Sequence, residues 1–182
     1  DHLCGAALTR GVTPAVLVAS ESFWPLAPVE YARAAIKIVV IPDGLFREIS
    51  GLESPARVGF VVDLPAAAVI DPDAATVILD RVQDAGNVGS ILRSAGAFGF
   101  RQVLALKGAA ALWSPKVLRA GMGAHFGLQL HEGLELADLD SLRVPLVVTS
   151  SHQGDLVQRL DLPHPCAWAM GHEGQGVSDA LM

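Results

Sequence analysis

The sequence predicts an α/β protein: helices layered on a largely parallel sheet in a larger C-terminal unit, preceded by a smaller N-terminal α/β unit. Three observations carry this expectation. Short β-rich runs alternate with helix-compatible stretches along the whole chain. Several of the runs are apolar enough to be covered on both faces, as strands inside a parallel sheet must be. A break falls at Leu64-Pro65-Ala-Ala-Ala-Val-Ile-Asp-Pro72-Asp, where two prolines flank a stretch with neither alternation nor helical caps.

In chain order the expected strands are Ala15–Ala19, Ile38–Ile41, Val58–Asp63, Thr76–Asp80, Gln102–Leu106, Gly127–Leu130, Leu146–Thr149 and Ala167–Met170, with helices in the intervals. The break makes 65–74 a linker between a unit over 1–64 and a unit over 75–182. At 182 residues, 51% hydrophobic and 18% charged, the chain has enough apolar material for a sizeable core, which argues against disorder. No apolar run approaches the roughly 20 residues needed to cross a bilayer, and the first residues lack the basic start and apolar stretch of a signal peptide. Cys4 and Cys166 stand far apart with no CxxC or Cys/His cluster, so neither a metal site nor a disulfide is expected, and a reducing, cytoplasmic setting fits.

The net charge of −6 disfavours a nucleic-acid partner only until its distribution is considered. Between Ala85 and His131 there is no acidic residue, while Arg93, Arg101, Lys107, Lys116 and Arg119 all lie there. Such an island suits a surface facing phosphates, with Lys107, Lys116 and Arg119 as the residues to meet them.

Two constellations can carry chemistry. The first is Asp80-Arg-Val-Gln-Asp84-Ala-Gly-Asn87-Val-Gly89-Ser-Ile-Leu-Arg93, directly after the strand Thr76–Asp80. It reads as strand, polar turn and helix, with Asn87 as N-cap and Ile91, Ala95 and Phe98 as the stripe that packs on the sheet. Arg93 lies off that stripe among small residues, free to stand over a cleft at the strand's carboxyl end, where α/β sheets bind ligands. A neutral amide and a permanent cation together suit a hydroxyl and a phosphate.

The second constellation is Cys166-Ala-Trp-Ala-Met170-Gly171-His-Glu173-Gly174-Gln-Gly176-Val-Ser178, a buried strand running into a glycine-rich loop. The glycines permit close backbone approach to a ligand, and Ser178 stands ready to cap a following helix. The loop is neither GxGxxG nor a Walker sequence. Glu173 inside it would orient Arg93 if the two lie side by side. A softer signal is Leu146-Val-Val-Thr149-Ser150-Ser-His-Gln-Gly154, a strand entering a polar loop that could wall a pocket or simply turn.

Together the two motifs resemble the SpoU/TrmH family of RNA 2′-O-ribose methyltransferases. Asp84 to Gly99 is similar to that family's first motif, Gly171-His-Glu-Gly-Gln-Gly to its second, and Lys116-Val-Leu-Arg119-Ala-Gly-Met-Gly-Ala-His-Phe126 to the segment between them. The resemblance runs from Thr76 onward. Val39-Val-Ile-Pro-Asp-Gly-Leu-Phe-Arg-Glu-Ile-Ser50 and Val58-Gly-Phe-Val-Val62 are similar to the ribosomal-protein-like RNA-binding domain that many members carry. The family's third motif, an Ile-Pro-Met segment leading to a Ser-Leu-Asn-Val-Ser run, has no counterpart before Met182, so the second unit is expected to be incomplete at its C-terminus, and the first is expected to be incomplete at its N-terminus.

The resemblance implies a SPOUT-type trefoil-knotted, mostly parallel sheet working as a homodimer. It implies S-adenosylmethionine as cofactor, bound by Thr149, Ser150, Met170, Gly171, Gly174 and Gly176, and structured RNA as partner, rRNA first and tRNA second. Arg93 would position the ribose hydroxyl and contact RNA, Asn87 would help to bind it, and Glu173 would hold Arg93. Two rival readings use the same residues: a non-catalytic RNA-binding relative, and a nucleotide-cofactor enzyme on an ordinary doubly wound sheet.

Overall fold

The computed structural model describes residues 2–52, 54, 56–66, 68–150 and 154–182. The chain divides into two compact units, Asp1–Ala66 and Ala67–Met182, a boundary inside the 65–74 stretch.

The first unit contains α1 (His2–Thr9), β1 (Val16–Ser20), α2 (Val29–Ala34), β2 (Lys37–Ile41), α3 (Asp43–Ser50) and β3 (Val58–Val61). Its sheet has the order β2-β1-β3, with β1 parallel to β2 and antiparallel to β3. Pro28 and Pro42 stand immediately before α2 and α3 in extended backbone, and α3 stops where Gly51 turns left-handed (φ 61) and donates its N–H to Arg47 O. Leu17 and Ala19 point into a core with Cys4, Tyr31 and Val58. Tyr31 meets Phe60 edge-on at 5.4 Å.

The second unit contains β4 (Thr76–Asp80), α4 (Ala85–Ala97), β5 (Gln102–Leu106), α5 (Pro115–Gly121), β6 (Gln129–Leu134), β7 (Leu146–Val148) and β8 (Ala167–Gly171). They form one parallel sheet in the order β6-β5-β4-β8-β7. Every residue of β4 and β5 is buried. Alternate side chains serve opposite faces: Val77, Leu79, Val103 and Ala105 pack with α4 and α5 residues, whereas Ile78, Leu104 and Leu106 pack with Ala167, Ala169 and Val177. Gln102, polar and fully buried, is satisfied by donating to Asp71 O at 2.7 Å and Thr76 Oγ1 at 2.8 Å and by accepting the Asp71 N–H at 3.1 Å.

All eight expected strands occur, and β4 and β5 have the bounds read from sequence. The sixth begins later and runs further than Gly127–Leu130, because Ala124–Gly127 winds into a 3₁₀ turn around the buried His125. His125 Nε2 donates to Leu112 O at 2.9 Å. Leu104 pairs with His131 and Leu106 with Leu134, a bulge accommodated by Gly133 at φ 67.

Helix α4 differs from expectation in two respects. Its N-cap is Asp84, whose carboxylate accepts the Asn87 N–H at 2.8 Å, so Asn87 lies inside the first turn. Its buried face is Val88, Gly89, Leu92 and Ala95; Ile91 is half-buried and Phe98 is 77% exposed. The face is rotated because α4 packs on α5 as well as on the sheet. At Gly89 a Cβ would lie 2.3 Å from Ala120 Cβ and 2.7 Å from the Gly121 N, so the two helices touch backbone to backbone. Gly89→Ala should therefore destabilise the protein by about 1–3 kcal/mol, the usual cost of overpacking. A urea midpoint unchanged from wild type would contradict that packing.

Candidate functional site

Strands β4 and β8 lie side by side with Asp80 opposite Gly171. From β4 the chain builds β5 and β6 on one side of the sheet, and β8 and β7 occupy the other. The carboxyl ends of β4 and β8 thus mark the point at which strand order reverses, the position where open parallel sheets hold ligands.

Asp80 anchors that point. Only 3% exposed, its carboxylate accepts the Ser178 N–H at 2.6 Å and Arg81 Nε at 3.1 Å. Burial pushes its pKa up, but the Ser178 N–H and hydroxyl and the Arg81 guanidinium outweigh that and hold the carboxyl below the ordinary value. Arg81 is left-handed (φ 58), and its Nη1 donates to Gln175 Oε1 at 3.1 Å in the glycine loop. Sequence reading missed both residues; an acid-base pair closing the apolar run Val77-Ile-Leu79 was the available signal. Ser178 was expected to cap a helix with its side chain. It makes no such bond, its N–H being turned toward Asp80 instead.

The loop after β8 closes on itself. His172 N donates to Gly176 O at 3.0 Å and Gly176 N to His172 O at 2.8 Å, with Gly176 at φ 73. Gly171 allows this, since a Cβ there would lie 2.1 Å from the Gly176 carbonyl carbon and 2.1 Å from the Val177 N.

Closure carries Glu173 to the start of α4. Its carboxylate accepts the N–H of Asp84 at 3.0 Å, the N–H of Gln83 at 3.4 Å and the Asn87 side-chain amide at 3.2 Å. Its own backbone N–H, then those of Asp84 and the Asn87 amide, lower its pKa to about 2, and the helix N-terminus favours the same charge. A carboxylate so held is mismatched to general-base work near neutrality. It clamps the loop to the helix.

A cleft of about 280 Å³ opens beside the clamp, lined by Val82, Asn87, Ser90, Ile91, Thr149, Met170, Gly171 and Glu173. A larger apolar groove shares Ser90, Ile91 and Met170 with it. Thr149 is fixed by its N–H and hydroxyl, which donate to Ala169 O at 3.2 and 2.8 Å. Of the residues singled out from sequence, Asn87, Glu173, Thr149, Met170 and Gly171 come together here. Ser150, Gly174 and Gly176 do not line the cleft, and Ser151, His152 and Gln153 lie outside the described residues. Val82, Ser90 and Ile91 were missed, although Ser90 lies one turn beyond Asn87.

Arg93 is exposed on α4, off the buried face, as expected. The expected Glu173–Arg93 pair is absent: Glu173 is taken by Asn87 and two backbone N–H groups, and among the described residues Arg93 forms no ion pair. The basic island is not one surface either. Arg101 precedes β5 and Lys107 follows it, at opposite ends of the strand, and Lys107 is paired with Glu135. Lys116 and Arg119 remain exposed on α5. Among the described residues no group of three or more His, Cys, Asp or Glu side chains could hold a metal ion, and no described helix is long and apolar enough to cross a membrane.

Fold and cleft together define a parallel α/β domain with a glycine-loop ligand site at its topological switch point. The sequence pattern of the SpoU rRNA Methylase family matches residues 74–182. The chain belongs to that family. It is 26% identical to the 23S rRNA (guanosine(2553)-2′-O)-methyltransferase RlmP of Bacillus subtilis, covering all of this chain and 73% of that protein. It is 38% identical over 112 residues to the mitochondrial rRNA methyltransferase 3B of Danio rerio, covering 55% of this chain but only 25% of the relative's length. Its backbone matches the SpoU methyltransferase AviRb of Streptomyces viridochromogenes, solved with AdoMet, at a TM-score of 0.83 and 24% identity over 98% of this chain and 73% of that one. An RNA 2′-O ribose methyltransferase structure matches at 0.80 and 26% identity, over 99% and 72%.

The clamp makes a spectroscopic prediction. In an NMR pH titration the Glu173 side-chain carboxyl should titrate near its lowered value of about 2, and Asn87→Ala should move it upward. Because the folded-state pKa is lowered, the stabilisation by Glu173 is present above the ordinary glutamate range and is lost as pH falls through the lowered value. An ordinary midpoint in wild type would remove the clamp.

Proposed function

We propose that the unit formed by residues 75–182 transfers a methyl group from S-adenosylmethionine to a ribose 2′-hydroxyl of structured RNA, rRNA in the first instance. The observation that carries this reading is the Glu173–Asn87 clamp, which joins the two motifs of the SpoU region around one cleft. The named activities of the relatives support it.

When bound, S-adenosylmethionine supplies a methyl group on a sulfonium centre, electrophilic enough to be attacked by oxygen. The residues fit such a ligand on two counts. Gly171 lines the cleft without a side chain and lets the Gly176–Val177 backbone close against it, so the wall of the cleft there is main chain, suited to a polar ligand end. Met170 and Ile91 offer an apolar wall continuous with the neighbouring groove.

Asn87 gives its amide N–H to Glu173 and leaves its carbonyl oxygen available to accept from a ribose hydroxyl. As the ribose oxygen takes the methyl, the C–S bond breaks to leave S-adenosylhomocysteine and the hydroxyl proton passes to solvent; Arg93, a permanent cation, orients the ribose and phosphate and stabilises charge developing on the attacking oxygen. Thr149 holds the rim of β7 against β8. The same reading extends to a trefoil-knotted, homodimeric enzyme of the cytoplasm. Threading would set it apart from ordinary doubly wound sheets, and the two buried free cysteines suit a reducing compartment.

Two outcomes are expected. Gly171→Val, whose side chain would run into the Gly176–Val177 backbone, should weaken S-adenosylmethionine binding at least tenfold, about 1.4 kcal/mol, and more than it weakens RNA binding; calorimetry finding wild-type cofactor affinity would sink the cofactor assignment. Arg93→Ala should reduce methylation of an rRNA transcript by about a hundredfold or more, with an unchanged thermal midpoint, and Arg93→Lys should recover little because a planar fork becomes a point charge. Activity of Arg93→Ala within threefold of wild type, on the order of 0.7 kcal/mol, would defeat its role.

A further inference from the structure

The first unit carries a second polar concavity, of about 260 Å³, lined by Ser20, Ser22, Asp43, Phe46, Arg47 and Arg57. Sequence reading assigned none of these residues a role. Topology assembles them. Ser20 ends β1, pairs with Ile41 at the end of the parallel β2, and donates its N–H to Arg57 O at 2.9 Å, just before the antiparallel β3. Asp43 and Arg47 lie one turn apart on α3, which starts directly after β2. Two arginines ten positions apart and two serines from another element thus converge at the carboxyl end of the parallel strand pair.

The charge balance of the pocket favours an anion. Arg57 Nη1 donates to the Ser22 hydroxyl at 3.4 Å, and, after the Ser22 N–H and hydroxyl, its charge also helps to hold the Asp43 carboxyl below the ordinary value. Among the described residues neither Arg47 nor Arg57 forms an ion pair. The one carboxylate in the lining, Asp43, takes the Ser22 N–H at 3.2 Å and draws on the Ser22 and Ser20 hydroxyls as well. Two cations therefore face one anion, beside the Ser20 and Ser22 hydroxyls, which lie 3.5 Å from each other. Guanidinium forks with adjacent hydroxyl donors match a tetrahedral oxyanion, and a single surplus charge suits a phosphodiester.

We propose that this concavity is a phosphodiester-binding site through which the N-terminal unit grips the backbone of the RNA substrate. The proposal rests on the RNA reading above and adds a contact point remote in sequence from the methylation motifs. Backbone contacts of this kind position an RNA without reading its bases.

The test measures binding of an unmodified 23S rRNA transcript by the full chain across a salt series. The double variant Arg47→Gln/Arg57→Gln should bind more weakly by about tenfold or more at low salt, and its log–log salt slope should be shallower by about two, one for each phosphate-contacting arginine removed. The lysine pair Arg47→Lys/Arg57→Lys should keep the slope, and Asp43→Asn, which retains an acceptor for the Ser22 N–H, should steepen binding at low salt. Calorimetric affinity for S-adenosylmethionine should be unchanged throughout, with circular dichroism reporting the fold. A glutamine pair with the wild-type slope overturns the site, as does a lysine pair that loses the slope as fully as glutamine. If wild type methylates the transcript while the glutamine pair binds it with equal affinity and slope, the pocket alone falls. If wild type binds the cofactor but no RNA, the RNA reading falls with it.

Discussion

A carboxylate withdrawn from water must be supplied with donors, and at the end of β4 that requirement organises the second unit. Asp80 lies in the middle of a parallel sheet and is nearly inaccessible. Its donors come from both sides: Arg81, forced into a left-handed turn, and the Ser178 N–H from beyond the glycine loop. With both ends of that loop fixed, Gly171 closes on Gly176, and Glu173 falls on the first turn of α4. The cleft is what remains between these tethered pieces.

The electrostatics follow the same geometry. Glu173 is ionised not because a cation neutralises it but because backbone N–H groups and an amide converge on it. That leaves Arg93 free of the carboxylate expected to hold it. Among the described residues Arg93 has no ion-pair partner, and it stands on the exposed face of the helix that borders the cleft. Lys107 does have one, because Glu135 reaches it from the turn after β6.

Much of the fold was legible. Apolar runs buried on both faces need no tertiary knowledge to be recognised, and β4 and β5 carry the bounds read from sequence because every one of their residues is buried. The helix after β4 was legible in existence but not in phase. Asp84 and Asn87 are both good N-caps, and the choice between them is made by where the Asp84 side chain finds its N–H. The stripe was misplaced toward Phe98 because periodicity alone cannot show that α5 presses on Gly89.

The sequence by itself determined the α/β class, the strand positions, the two motifs and hence the family, because these depend on local periodicity and on residue types a few positions apart. Tertiary structure alone decided which donors Glu173 receives, that Asp80 and Arg81 tether the glycine loop, and that Arg47 and Arg57 converge with Ser20 and Ser22. Hydrogen bonds and charge pairs form between atoms brought together by strand order, across separations of 80 to 100 positions in the case of Asp80–Ser178 and Glu173–Asn87. No local pattern encodes which of the possible partners will arrive.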